Sequence, residues 1–369
     1  MRVLFVNTRE DAEQHPGGDN VQMQKTQSAL EALGVEGFVR SLAELDKLPP
    51  FDLAHLFNMQ TPESTARVFA ALRPLGKPIL LSSIYWDMLE HWADTAVNTH
   101  PRWSALARRL GKVRMQTLYI QWQRLKEPLF RRWRYQRRLL QQADRVLPNS
   151  QAEADLLQEA FMLGKTFMQR VTVVPNGIEP TLYRELPTPS AAFYEKYGVR
   201  DFVLQVGSVN PTKNQLGLIE ALDDLPIPLV FIGKPLTERM DYYTACQVRG
   251  AERGNVLFLD RVAYEELPAI YALAAVHVLP SWRETPGLVS LEAAAAGCKI
   301  VTTAIGSTAD YFGDLAWYCH PGDPASIRRA VAAALEAPPS PLLRQRVLQQ
   351  YTWEQAAVAT LGAYRQTLQ

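Results

Sequence analysis

Short apolar runs alternate with longer stretches of helical periodicity along the whole chain. In the first half, "RVLFVN", "FDLAHLF", "KPILLSS", "DRVLPNS" and "VTVVPNG" are strand-like and end in polar or turn residues. Between them, Asp19–Gly34 and Thr61–Leu75 place apolar residues at the spacing of one helix face. The second half has the same grammar, with "FVLQVGS", "PLVFIGK", "NVLFLD", "VHVLPS" and "KIVTTAIG". Buried runs separated by helices predict parallel sheets covered on both faces. Two such series predict an α/β chain of two doubly wound, Rossmann-like domains.

Composition marks the boundary. "PNGIEPTLYRELPTPS" (Pro175–Ser190) holds four prolines and no helical period, so it reads as a linker. The expected division is an N-terminal domain over 1–183, a C-terminal domain over 184–350 and a last helix over 351–369 that packs back toward the N-terminal domain. That helix takes Thr352 as its expected N-cap and Glu354 in its first turn. A length of 369 residues accommodates two cores.

Cys246, Cys298 and Cys319 have neither metal-ligand nor redox spacing, which points to a reducing, cytoplasmic setting. The N-terminus reads as a first strand, not as a cleavable signal. The longest apolar stretch, Ala269–Leu279, is too short to span a bilayer and contains His277. His15, His55, His100, His277 and His320 form no ligand spacing; His277, on a buried strand, reads as a core residue. One segment departs from the whole-chain net charge of +1. Pro101–Leu140 carries twelve Lys/Arg and one acid, Glu127, a net of +11 that leaves −10 for the remainder. Trp103, Tyr119, Trp122, Trp133 and Tyr135 are interleaved with those charges. This is the pattern of an interfacial helix pair, and the expectation is peripheral attachment to the inner face of an anionic membrane. Pairing with the acidic remainder, or contact with another subunit, is the plainer alternative.

In open parallel sheets, ligands bind at the carboxyl ends of strands. After the first strand, "HPGGDNVQMQ" puts Gly17-Gly18 ahead of a helix that Asp19 or Asn20 could cap, an arrangement open to an anion but common in plain turns. After "FVLQVGS", Lys213 opens the next helix, where a cation opposes the helix dipole unless an anion is there. "RETPGLVSLEAAAAGCKIVTT" carries Glu284 in the loop after a strand, and Glu292 in the second turn of a helix starting near Gly287-Leu288. Leu288, Leu291, Ala295 and Ala296 put Glu292 on or near the packed side, where a carboxylate needs donors; vicinal ribose hydroxyls supply two. An isolated pair of this kind is read more simply as a solvated Glu292 and a helix-capping Glu284.

The pair is not isolated. "PSWRETPGLVSLEA", together with the Gly-Gly loop, "ADRVLPNS", "VVPNGIE", "VGSVNPTKNQ", "VLFLDRVAYEELPAIYALAAVHVLPS" and "YTWEQAAVATLGAYR", resembles the retaining GT-B glycosyltransferases of family 4, the group 1 glycosyltransferases. The resemblance covers nearly the whole chain. It implies two Rossmann-like domains facing a cleft, with a UDP- or GDP-linked sugar as co-substrate and neither metal nor cofactor. It further implies that Glu292 holds the ribose, and that Glu284 contacts the transferred sugar near the reacting carbon. Lys213 would neutralise the leaving phosphate, with backbone amides of Gly287 and Leu288 on one side of the diphosphate and Gly17 and Gly18 on the other. Arg261 and Val262 would flank the base.

Two departures stand out. The family's Gly-Arg ahead of the lysine is Gly207-Ser208 here, and its His-Asp on the acceptor side becomes Trp86-Asp87, with His91 further on. The resemblance implies transfer to a hydroxyl of a glycan or lipid-linked glycan precursor. A nucleotide-sugar epimerase of the same architecture is the alternative within the fold. A nucleic-acid binder would use the basic segment but leave the two glutamates and Lys213 unexplained, so no nucleic acid is expected as partner.

Overall fold

The computed structural model describes residues 1–9 and 17–369; His15, of the Gly-Gly loop, lies outside the described residues. The chain divides into two compact units, Met1–Asn176 with Trp353–Gln369, and Gly177–Thr352. The division falls earlier than the linker composition suggests. Ile178 N–H donates to the Tyr351 carbonyl at 2.9 Å, and Tyr183 is fully buried in the second unit's core. Residues 177–183 and 351–352 therefore belong to the second unit.

In the first unit the order is β1 (Arg2–Asn7), α1 (Gly18–Glu31), β2 (Glu36–Arg40), β3 (Leu53–Phe57), α2 (Pro62–Leu72) and β4 (Ile79–Ser82). Then come α3 (Leu89–Thr99), α4 (Pro101–Leu110), α5 (Lys112–Lys126), α6 (Arg131–Gln142), β5 (Arg145–Val146) and α7 (Gln151–Ala160). The sheet is wholly parallel, in the order β2-β1-β3-β4-β5.

The second unit begins with α8 (Ala191–Tyr197), β6 (Val203–Val206), α9 (Gln215–Ala221), β7 (Leu229–Ile232), α10 (Met240–Arg253) and β8 (Val256–Leu259). It continues with α11 (Leu267–Tyr271), β9 (Val276–Leu279), α12 (Leu288–Ala295), β10 (Lys299–Thr303) and α13 (Thr308–Phe312). It closes with β11 (Trp317–Cys319), α14 (Pro324–Glu336) and α15 (Leu342–Gln350). Its parallel sheet runs β11-β10-β9-β6-β7-β8. Along β6 and β7, Leu204, Val206, Val230 and Ile232 feed one apolar layer, while Val203, Leu229 and Phe231 feed the other. That alternation covers both faces of a parallel sheet with helices. The last helix, α16 (Trp353–Leu368), belongs to the first unit and packs against α1.

Two sequence expectations are corrected. "VTVVPNG" forms no strand: only Val171 makes an isolated bridge, to Val146, before Pro175 removes a backbone donor. The fifth strand is instead β2, "EGFVR", at the sheet edge. Gly37 interrupts its pattern because a side chain there would press on Gln27, Glu31 and Phe5. The helix after β1 begins at Gly18 with Gly17 at the N-cap, so neither Asp19 nor Asn20 caps it; Asp19 is a buried first-turn residue.

His55 on β3 and His277 on β9 are fully buried, and burial pushes both imidazoles down to about 3, with the Lys213 charge adding to the effect at His277. In the unfolded chain each takes up a proton near its ordinary 6.5. Each therefore contributes stability that is complete above that value and is lost as pH falls toward 3. Glu153, buried and raised to about 7 from 4.5, acts oppositely, its contribution being present below 4.5 and lost as pH rises through 7. His277→Leu is expected to remove about one proton from the pH dependence of unfolding, ~1.4 kcal/mol per pH unit between pH 6.5 and 5. Denaturant titrations of parent and variant across that window check it; parallel slopes would contradict it.

Candidate active site

In the second sheet the winding reverses between β6 and β9, which lie side by side. Loops leaving neighbouring strands at such a switch point run apart, and the space at the strands' carboxyl ends is where open α/β sheets bind ligands. The β6 loop carries Gly207–Lys213, and the β9 loop carries Ser281–Gly287.

The β6 loop is held from within. Asn210 accepts from the backbone N–H of Thr212 at 2.9 Å and of Lys213 at 3.3 Å, capping a 3-10 turn over Pro211–Lys213. Lys213 thus closes that turn ahead of α9 and is not in the first turn of the helix. Gln205, buried on β6, donates to the Lys213 carbonyl at 2.7 Å. Trp282 N–H donates to the Thr212 carbonyl at 2.8 Å, tying the two loops together. The result is that Lys213 Nζ lies 2.5 Å from Glu284 Oε1. The pair is shielded, the side chains being 25% and 7% exposed.

Glu284 is placed by its own backbone. Its carbonyl accepts from Ser307 N–H at 2.9 Å, and it bridges in parallel to Gly306. A Cβ on Gly306 would lie 2.1 Å from the Glu284 carbonyl oxygen, at a φ of +124° that side chains rarely adopt. Gly306→Ala is therefore expected to cost about 1–3 kcal/mol and to displace Glu284. Thermal melts with ligand titrations would read this, and a variant melting and binding like the parent would refute it. Gly287, at φ +84°, is the N-cap of α12, and a Cβ there would come within 3.4 Å of Glu284 Oε2. The carboxylate thus lies against a helix start whose first N–H groups have no intrahelical partner. Leu288 is the first residue of that helix.

Glu292, half-buried in α12, accepts from Tyr264 Oη at 3.0 Å and from Tyr271 Oη at 3.5 Å. Burial, and after it the Glu292 carboxylate, pushes both phenols and that of Tyr183 up. A carboxylate accepts about four hydrogen bonds, and the two tyrosine hydroxyls supply two of them. Both tyrosines lie inside the stretch "VLFLDRVAYEELPAIYALAAVHVLPS", but an aromatic 21 or 28 residues upstream of Glu292 carries no local signal. Ser208 Oγ accepts from Asn210 Nδ2 at 2.9 Å, so its hydroxyl is engaged within its own loop. Past β8, Arg261 is exposed and Val262 packs against the core. Among the described residues no group of three or more His, Cys, Asp or Glu could hold a metal.

The other sequence-selected residues belong to the first unit, whose switch point lies between β1 and β3. Gly17 and Gly18 begin α1 there, beside Arg9, whose guanidinium is 3.4 Å from Asp19 Oδ1. Asn58 Nδ2 donates to Asp19 at 3.1 Å, and buried Gln22, Asn149 and Asn176 are linked by amide hydrogen bonds. Asp87, after β4, accepts from Leu89 N–H at 3.0 Å and pairs with Arg124 Nη2 at 2.7 Å. His91 lies in the first turn of α3, its imidazole pushed down by burial against an opposing pull from Asp94.

Two doubly wound parallel sheets, each with polar groups at its switch point, define the GT-B class of fold. Anabaena HepE, solved with UDP and glucose, superposes with a TM-score of 0.69 at 17% identity, over 99% of both chains. Residues 16–182 match the model "Glycosyltransferase Family 4", and residues 190–351 match "Glycosyl transferases group 1". The chain belongs to the group 1 glycosyltransferases of family 4. The D-inositol 3-phosphate glycosyltransferase of Mycobacteroides abscessus is 29% identical over 178 residues, 46% of this chain and 39% of that protein. The O-antigen chain mannosyltransferase B of Escherichia coli is 29% identical over 191 residues, 48% of this chain and 50% of that one. These alignments span about half or less of the relatives' lengths.

Proposed function

We propose that this protein transfers a hexose from a nucleoside diphosphate sugar, UDP- or GDP-linked, to an acceptor hydroxyl with retention of anomeric configuration. The observation that carries the reading is the shielded Lys213–Glu284 pair against the start of α12, beside the second sheet's switch point. An ammonium and free helix N–H groups are what a departing diphosphate needs, and their preorganisation stabilises charge as it develops. In this reading Lys213 and the amides of Gly287 and Leu288 bear that charge without a metal ion. Glu284 orients the sugar, and Glu292 takes the ribose hydroxyls. The bond from the anomeric carbon to the phosphate oxygen breaks as the acceptor oxygen bonds to the same face of that carbon. The acceptor proton passes to the departing phosphate oxygen, so positioning replaces a side-chain base.

HepE was solved with UDP and glucose, which supports a uridine donor. The acceptor in this reading is a glycan or lipid-linked glycan precursor at the inner face of a membrane, reached through 101–140. Isothermal titration against a panel of nucleoside diphosphates tests the donor, and binding to none of them would overturn the reading. NMR of the product's anomeric centre tests retention, which an inverted product would refute. A changed sugar formed without acceptor would make the protein an epimerase.

A further inference from the structure

We infer that α4 and α5 present a docking surface for an anionic lipid bilayer, entered by apolar side chains and not held by charge alone. For its purpose this rests on the membrane-acceptor reading above; its observations are independent of it. α4 buries no residue, and α5 buries only Met115. Leu118, Trp122 and Leu125 recur on α5 at i, i+4 and i+7, one face of a helix, and Leu129 and Phe130 continue the apolar surface in the turn behind it. All five are exposed, Leu125 and Leu129 to 78% and 76%. Apolar groups this open, rimmed by cations, mark an interaction surface.

Among the described residues, carboxylates balance little of the charge of 101–140. Among the described residues, only Lys112 and Arg124 of the twelve basic side chains in 101–140 pair with carboxylates, Lys112 with Asp94 at 2.8 Å and Arg124 with Asp87 and Glu127. Arg102, Arg108, Arg109, Arg114, Arg134 and Arg138 stay exposed and without a carboxylate partner among those residues. Among the described residues, internal pairing, the plainer explanation of the +11, thus accounts for little of it. The rings of Trp103, Tyr119 and Trp122 gather across α4 and α5 with centroids 5.1–6.0 Å apart, and Lys126 Nζ sits 2.8 Å over the Trp122 ring. Amphipathic rings beside cationic heads on apolar stems suit the headgroup boundary, where the charges meet phosphates and the rings meet acyl chains.

The occupant follows from the chemistry. A polynucleotide would meet the arginines but leave Leu118, Leu125 and Leu129 in water, and a second copy would set like charge against like charge. An anionic bilayer satisfies both. The surface is also tied to the fold behind it. Asp94 on α3 holds Lys112 and Gln116, and Asp87, in the loop after β4, holds Arg124. Docking would therefore orient the carboxyl end of the first sheet relative to the membrane plane.

The experiment is co-sedimentation of the full chain with phosphatidylglycerol/phosphatidylcholine vesicles and with pure phosphatidylcholine vesicles, at low and high salt. The parent should bind the anionic vesicles, bind the neutral ones at least about tenfold more weakly, and weaken as salt rises. Leu125→Glu, at a position too exposed to disturb folding, should weaken binding about tenfold with an unchanged melting curve. Brominated acyl chains should quench tryptophan emission, and less so in Trp122→Phe. No vesicle binding, or binding indifferent to Leu125→Glu, would overturn the inference. So would lipid-free dimerisation that Leu125→Glu abolishes, or tight oligonucleotide binding that it leaves intact. Nucleoside diphosphate titration of the same samples separates the two readings: docking without nucleotide binding would remove the transferase reading alone, and the reverse would remove docking alone.

Discussion

Lys213→Met is expected to lower turnover by about 10²–10³-fold, the scale seen when one preorganised donor to a developing anion is removed. The Lys213 amine sits 2.5 Å from Glu284, its carbonyl held by Gln205 and its loop tied to the β9 loop through Trp282. It is therefore held in position by the protein's own contacts. The same substitution strands a carboxylate that is only 7% exposed. A stability loss of ~2 kcal/mol should follow, less than for a fully buried pair because Lys213 keeps partial access to solvent. Lys213→Met combined with Glu284→Gln distinguishes the two effects. Neutralising both partners should restore most of the melting temperature and none of the turnover. If the double variant regained activity, the lysine would be a structural counter-ion and not the charge that stabilises the leaving group.

Glu292→Ala should weaken nucleoside diphosphate and nucleoside diphosphate sugar alike, by roughly 1–3 kcal/mol. Both ligands carry the ribose, and the loss is of a carboxylate acceptor held half-buried between two tyrosine hydroxyls. Tyr264→Phe, which removes one of those donors and leaves the carboxylate, should cost less. Glu284→Gln should spare the free nucleotide and impair only the intact donor, because its assigned partner is the sugar. Calorimetric titration of the three variants with both ligands checks the division. Unchanged nucleotide affinity in folded Glu292→Ala would remove the ribose assignment, and equal losses for the two ligands in Glu284→Gln would remove the sugar assignment.

Much of this architecture is legible residue by residue. Strands β1, β3, β6, β7 and β9 are buried along their whole length or nearly so, and a strand enclosed on both faces must be written as an unbroken apolar run. Edge strands carry no such obligation. β2 and β11 are part-exposed, and "EGFVR" even holds a glycine, so neither announces itself. The motif around Glu284 and Glu292 is legible for a related reason: strand end, loop and helix start are consecutive, so the spacing survives into the structure. The +11 of 101–140 is likewise a property of the chain as written.

What the chain order cannot express is partnership across distance. Lys213 and Glu284 are 71 residues apart and meet only because β6 pairs with β9, setting Val203 beside Val276 and Leu204 beside His277. Tyr264 and Tyr271 reach Glu292 through the packing of α11 and its leading turn against α12. Which ten of the twelve cations in 101–140 lack a carboxylate among the described residues was decided the same way, by which acids the folded surface brings within reach. The sequence by itself determined the buried strands, the two-sheet class and the local motifs, because burial and turn chemistry act on neighbours along the chain. The tertiary structure alone decided the ion pair, the tyrosine clasp and which described acids meet the basic segment, because each depends on strand order and helix packing between distant segments.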